Sequence, residues 1–186
     1  YNGTYTGTYT LGATSLLPNG QGKSLSVAGS GYVALPNVAA INTIVSPLTL
    51  EYWFSMPTIP TTAGAQFFVC LGSSASPSLG ISVTVTGEIT FQLMNVSNPS
   101  SMSQVLVANT VYYVVLVVSG TTVSWYLNGT LINTGSASVS AGSGAGAIAA
   151  NAAHLGSYNL TGKIQNVAVY NKALTSTQIT AHYAAG

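Results

Sequence analysis

Apolar and polar residues in this chain alternate with a period of two, in short bursts separated by Gly, Pro, Asn and Ser. That is the pattern of half-buried antiparallel strands, and it leaves few architectures open. Candidate strands are Ser24–Val27, Tyr32–Leu35, Leu48–Met56, Gln66–Leu71, Gly80–Val85, Glu88–Leu93, Val111–Val118, Thr122–Leu127 and Lys163–Tyr170. Many short strands without helices between them predict an all-β sandwich or closed barrel. Ser119-Gly120, Thr86-Gly87 and Asn128-Gly129 lie between facing strand patterns and read as tight hairpins, which makes the pairing antiparallel. From Tyr1 to Leu11 the odd positions are Tyr1, Gly3, Tyr5, Gly7, Tyr9 and Leu11, and threonine fills the even positions from Thr4 to Thr10. This Tyr/Gly face is expected to turn into the core rather than act as a sugar-stacking platform. Ser136 to Ala150 is almost entirely Ser, Ala and Gly and reads as a long surface connection or a flat edge. One short C-terminal helix is expected to plug an edge of the sandwich. Thr175 with Gln178 makes a capping box, and Leu174 with Ile179 makes a hydrophobic staple.

Charge narrows the function. The 186 residues include three lysines, two glutamates and no Asp or Arg, so 3% are charged where about 25% is usual. Three scattered lysines cannot build the basic stripe a nucleic-acid binder needs. The longest apolar run, Val111 to Val118, is far shorter than the ~20 residues of a spanning helix, so no membrane insertion is expected. The single Cys70, inside Phe67-Phe68-Val69-Cys70-Leu71, reads as a small buried hydrophobe. A net charge of +1 gives little repulsion between copies. Solubility then falls to a hydroxylated surface, to glycans, to permanent assembly into a larger particle, or to life in acid. Sequons for N-glycosylation occur at Asn2, Asn95, Asn128 and Asn159.

Three segments carry a resemblance. The first runs Gly22-Lys23-Ser24-Leu25-Ser26-Val27 through Gly31-Tyr32-Val33-Ala34-Leu35-Pro36 to Leu48-Thr49-Leu50-Glu51-Tyr52-Trp53-Phe54. The second is Tyr112-Tyr113-Val114-Val115 with Val123-Ser124-Trp125-Tyr126-Leu127-Asn128-Gly129-Thr130. The third joins Leu155-Gly156-Ser157 to Leu160–Leu174 and Ile179–Tyr183. In this order and spacing they resemble the laminin-G-like branch of the concanavalin A-like lectin/glucanase superfamily. The resemblance implies a single domain over residues 1–186. Its fold would be a two-sheet antiparallel jelly-roll sandwich with one short C-terminal helix, commonly used to bind glycans or proteins. The family usually has one more strand-forming segment upstream of Tyr1-Asn2-Gly3-Thr4, so the chain is expected to have lost preceding sequence or to be the last module of a longer one. Where relatives carry acids before Val167 and Ile179, this chain has Gln165, Asn166 and Gln178, read as amides replacing carboxylates at surface positions.

Catalysis is not expected. The superfamily's glucanases pair two close carboxylates, and retaining glycoside hydrolysis needs such a pair. Glu51 lies in a strand, where it reads as a structural hydrogen-bonding group, and Glu88 reads as a solvated turn residue. With no Asp, neither calcium nor any other metal or cofactor is expected. His154 and His182 lack ligand or triad partners in sequence and read as a loop-edge imidazole and a helix-end cap. Neutral sugars suit what remains, because aromatic faces stack on pyranose rings while amides and hydroxyls exchange hydrogen bonds with theirs. The candidate loops are Asn95–Ser103 and Asn151–Leu160, with Asn98, Asn151, His154, Tyr158 and Asn159 as candidate contacts and Gln104 just beyond the first loop. The expected function is a non-catalytic, lectin-like recognition or adhesion module on a virion or cell exterior that binds neutral glycan or a protein surface. A structural decoration or filament subunit that packs against copies of itself is the alternative. An inactive accessory domain of an enzyme stands third.

Overall fold

The computed structural model describes residues 2–39, 45–61, 66–72, 79–93, 96–139 and 141–186; at 91–93, 96–100 and 103 only the backbone is described. Among the described residues fourteen strands and one C-terminal helix follow one another as β1 (Thr4–Thr6), β2 (Tyr9–Ala13), β3 (Ser24–Ala28), β4 (Tyr32–Ala34), β5 (Leu48–Ser55), β6 (Gln66–Leu71), β7 (Leu79–Val83), β8 (Glu88–Leu93), β9 (Val96–Val105), β10 (Val111–Ser119), β11 (Thr122–Leu127), β12 (Thr130–Ser136), β13 (Ala147–Ile148), β14 (Thr161–Tyr170) and α1 (Ser176–Ala185). They form an all-β sandwich of two seven-stranded antiparallel sheets. The first has the order β1-β4-β13-β6-β7-β8-β9 and the second β12-β11-β10-β5-β14-β3-β2.

The hairpins follow from their turn residues. Asn128 and Gly129 have φ of 50° and 79°, the pair of left-handed conformations that a two-residue turn between twisted strands needs. They close β11 on β12 with Leu127 opposite Thr130. Between β10 and β11, Ser119 pairs with Thr122, so the turn is Gly120-Thr121, one residue later than expected.

Two cores flank the second sheet. Leu50, Tyr52 and Phe54 of β5, Val114 and Leu116 of β10, and Trp125 of β11 face the first sheet and meet Phe68, Leu79 and Ile81. The opposite faces of the same strands carry Trp53, Tyr113, Val115 and Val117, which pack under Leu16, Leu174 and Ile179. β5 and β10 are therefore buried on both faces, and β10 carries apolar or aromatic residues on both, which is why Val111–Val118 lacks alternation. Each buried Leu, Val or Phe side chain there contributes about 1.5–3 kcal/mol. Helix α1 has the expected capping box at Thr175, but it lies on the outer face of the second sheet instead of plugging an edge.

Two stretches depart from expectation. Within the Ser/Ala/Gly tract, Ala147 and Ile148 form β13, which sits between β4 and β6 inside the first sheet. Small residues serve this position because the chain passes close to its neighbours: a β-carbon on Gly146 would lie 2.6 Å from the Cys70 carbonyl oxygen. The segment expected as a loop over Asn95–Ser103 is, from Val96 onward, strand β9 at the edge of that sheet.

Candidate functional site

One side of the sandwich closes where the edge strands β9 and β12 meet, Asn133 Nδ2 donating to the Ser101 carbonyl at 2.9 Å. The other side, between β1 and β2, is open. The chain crosses from one sheet to the other there through Gly7, at φ 75°, where a β-carbon would sit 2.0 Å from the Ser30 carbonyl oxygen. Tyr5 lies opposite Val33 and Tyr9 opposite Val27, so both occupy rows that turn toward the opposing sheet. Their rings meet across the gap at 5.3 Å between centroids. The tyrosines expected in the core are nevertheless 44% and 40% exposed. The alternation predicts their direction but not their burial, because β1 and β2 are the last strands of their sheets and no further strand among the described residues lies beside them. Beside Tyr5 runs a groove of about 470 Å³ whose lining includes Leu11, Lys23, Leu35, Asn166 and Val167. It joins an apolar floor and a ring to an amide and an ammonium, with no carboxylate in its lining.

The loop of 151–160 brings together some of the residues expected there. His154 is exposed and meets Tyr158 edge to face at 5.6 Å, and Tyr158 in turn contacts Phe67 at 6.5 Å. Asn151 and Asn159 are braces: they are 8% and 4% exposed, and their Oδ1 atoms accept the Ala153 and Gly156 amides at 2.8 and 3.0 Å. Asn98 falls in β9, separated from β6 by β7 and β8, so its backbone is not brought to this loop. The Asn98 side chain and the whole of Asn95 lie outside the described residues. Gln104 is exposed, its Nε2 donating to the Val105 carbonyl. Among the sequons, Asn2 is exposed. Asn128 is half-buried in its turn and accepts the Tyr113 amide at 2.9 Å. Asn159 is 4% exposed, and its buried Nδ2 has no hydrogen-bond partner among the described residues.

Glu51 joins β5 to α1. Its Oε2 accepts from the Tyr113 hydroxyl at 2.6 Å and meets His182 Nδ1 at 3.0 Å, and its Oε1 accepts from the Tyr170 hydroxyl at 2.8 Å. Burial, then the hydrogen bond to Glu51, pushes the Tyr170 hydroxyl up to about 12 and the Tyr113 hydroxyl higher still. The structural role expected of Glu51 is thus met. The helix-end cap expected of the His182 side chain is not: only its carbonyl caps, accepting the Gly186 amide, while the imidazole turns to Glu51. The cluster borders a cleft of about 290 Å³ with Trp53 and Asn166. Both carboxylate oxygens are engaged, and Glu88, the other acid, opens β8 in the opposite sheet. Cys70 is fully buried, and burial raises its thiol to about 11. Among the described residues no group of three or more His, Cys, Asp or Glu could hold a metal ion, and no helix is long and apolar enough to cross a membrane.

A family model described as the concanavalin A-like lectin/glucanases superfamily matches residues 27–180. No curated protein matches the chain. Among solved structures, the chain is similar to domain 4 of a GH43 extracellular arabinanase from Geobacillus stearothermophilus in complex with arabinotriose. The TM-score is 0.72 at 19% identity over 96% of this chain and 86% of that one. It is similar to Trypanosoma rangeli sialidase at a TM-score of 0.68 and 16% identity, over 86% of this chain but only 27% of the sialidase. It is also similar to the heptameric SAP-like pentraxin of Limulus polyphemus, with a TM-score of 0.56 and 20% identity over 79% of this chain and 70% of that one. At such identities the likeness concerns the fold.

Proposed function

Because the chain belongs to the concanavalin A-like lectin/glucanases superfamily, we propose that it is a non-catalytic, extracellular recognition domain that binds neutral glycan in the groove beside Tyr5 and Tyr9. The observation that carries this reading is the exposed ring pair at the open side of the sandwich. Two rings 5.3 Å apart, next to a lining free of carboxylates, offer apolar faces to a sugar and leave Asn166 to exchange hydrogen bonds with its hydroxyls. That a similarly folded arabinanase domain was solved with arabinotriose supports a carbohydrate ligand. The exposed His154 and the half-buried Tyr158 form a further ring contact and are the alternative face for the same ligand class.

The test is a screen of the folded domain on neutral and acidic glycans, with and without calcium, repeated with Tyr5→Ala/Tyr9→Ala and His154→Ala/Tyr158→Ala. The expected result is calcium-independent binding to neutral glycan that the first variant weakens by about tenfold or more. Binding lost only in the second variant would move the site to the 151–160 loop, and no neutral binding by folded protein would overturn the reading. A self-assembling subunit would then gain ground, since Leu131 and Ile132 stand exposed on the edge strand β12 of a chain whose net charge is only +1.

A further inference from the structure

The outer face of the second sheet is covered at one end by α1 and by the segment holding Leu16, and this cover stops at Trp53 and Gln165. Among the described residues the next row across the sheet is only partly covered, Ser26, Ser55 and Lys163 being half-buried and Val111 exposed. In it Lys163 of β14 lies directly between Ser26 of β3 and Ser55 of β5, and Ser55 is opposite Val111 of β10. These four residues line a trough of about 580 Å³, a volume in the range of small-molecule sites, to which Thr161 and Asn109 also contribute. Leu16 and Ser15, where the cover ends, form one wall.

The chemistry of this row is selective. The chain spends one of its three lysines at the centre of the trough, and among the described residues the one ion pair is Glu51 with His182, so the Lys163 ammonium has no carboxylate partner of its own. Hydroxyl groups flank it on both neighbouring strands, and Val111 supplies an apolar surface beside them. A single ammonium between hydroxyls matches a monoanion, whereas a phosphate dianion is better met by several cations or an arginine fork. We propose that this trough is a second binding site, independent of the groove at Tyr5 and Tyr9, that takes a carboxylate-bearing sugar such as a hexuronate. Its carboxylate lies on Lys163 and its ring hydroxyls bond to Ser26, Ser55 and Asn109.

The experiment maps amide chemical-shift changes in the whole domain on titration with glucuronate, with its methyl ester, and with glucose. The expected result is saturable shifts at residues 26, 55, 109 and 161 with glucuronate, at least about tenfold weaker binding for the ester and for Lys163→Met, and partial recovery in Lys163→Arg. Lys163 points away from the core, and the unchanged spectrum of the rest of the domain reports that the variants fold. Shifts of equal strength with the ester, or none at these amides, would overturn the proposal. Tyr5→Ala/Tyr9→Ala should leave glucuronate binding unchanged, so failure of the neutral-glycan reading and failure of this one are read separately.

Discussion

Gln165 holds Leu16 in place: its Oε1 accepts the Leu16 amide at 2.7 Å while its Nε2 donates to the Gln21 carbonyl at 3.1 Å. The side chain is 4% exposed, so this is not a surface position from which charge has been removed, as the sequence had implied. A carboxylate could keep the first bond but not the second. The amide binds the segment of residues 15–21 to the sheet, and that segment brings Leu16 over Trp53 and Tyr113.

Gln165→Glu should therefore destabilise the domain by about 3 kcal/mol at neutral pH, because it buries an acceptor against the Gln21 carbonyl and desolvates a charge. The loss should shrink in acid, where the new carboxyl takes up a proton and can donate. Urea unfolding at both pH values checks this, and equal stability of variant and parent would contradict it.

Alkaline pH should weaken the fold before it does anything else to these groups. Burial raises the Cys70 thiol from 9.0 to about 11, the Tyr170 hydroxyl from 10.0 to about 12, and the Tyr52 and Tyr113 hydroxyls further. Between the unfolded and folded values the unfolded chain has released protons that the native state retains, so unfolding free energy falls as pH rises. The decline should begin near pH 9 and steepen above pH 10, and Tyr113→Phe should make it shallower. Denaturant midpoints from pH 8 to pH 11 test this, a flat profile being the contrary outcome.

Tyr52 is fully buried between the sheets, and its hydroxyl has no hydrogen-bond partner among the described residues. An unpaired buried hydroxyl costs about 1–3 kcal/mol. Tyr52→Phe keeps the ring against Phe54 and Phe68 and should raise stability by about 1 kcal/mol, measured by thermal or chemical unfolding. A clear loss would show that the hydroxyl is satisfied in solution.

Gly7→Ala should cost about 2 kcal/mol or more, since it places a side chain in left-handed backbone against the Ser30 carbonyl. It should also disturb the contact between Tyr5 and Tyr9, which depends on the crossing at this residue. Comparing its unfolding curve and its hydrogen exchange over residues 4–13 with those of the parent measures both effects.

Much of the fold is legible in the sequence because its signals are local. Asn128-Gly129 and the box of Thr175 with Gln178 each encode a backbone conformation within a few residues, and both form as expected. What was hidden depends on neighbours distant in sequence. β13 is two residues long and is a strand only because β4 and β6 flank it. The orientation of Tyr5 and Tyr9 is written in the alternation, but their exposure is set by the absence, among the described residues, of a further strand beside them. The Glu51 cluster draws partners from β10, β14 and α1, and no spacing in the sequence joins residues 51, 113, 170 and 182.

The two cores place one tryptophan each: Trp125 lies between the sheets, and Trp53 lies outside them, stacked on Tyr183 of the helix at 5.6 Å. The intrinsic fluorescence of this protein is thus a two-channel signal. Its Trp53 component reports departure of the helix and its Trp125 component reports separation of the sheets, so Trp53→Phe and Trp125→Phe variants turn one spectrum into two clocks for the order in which the domain comes apart.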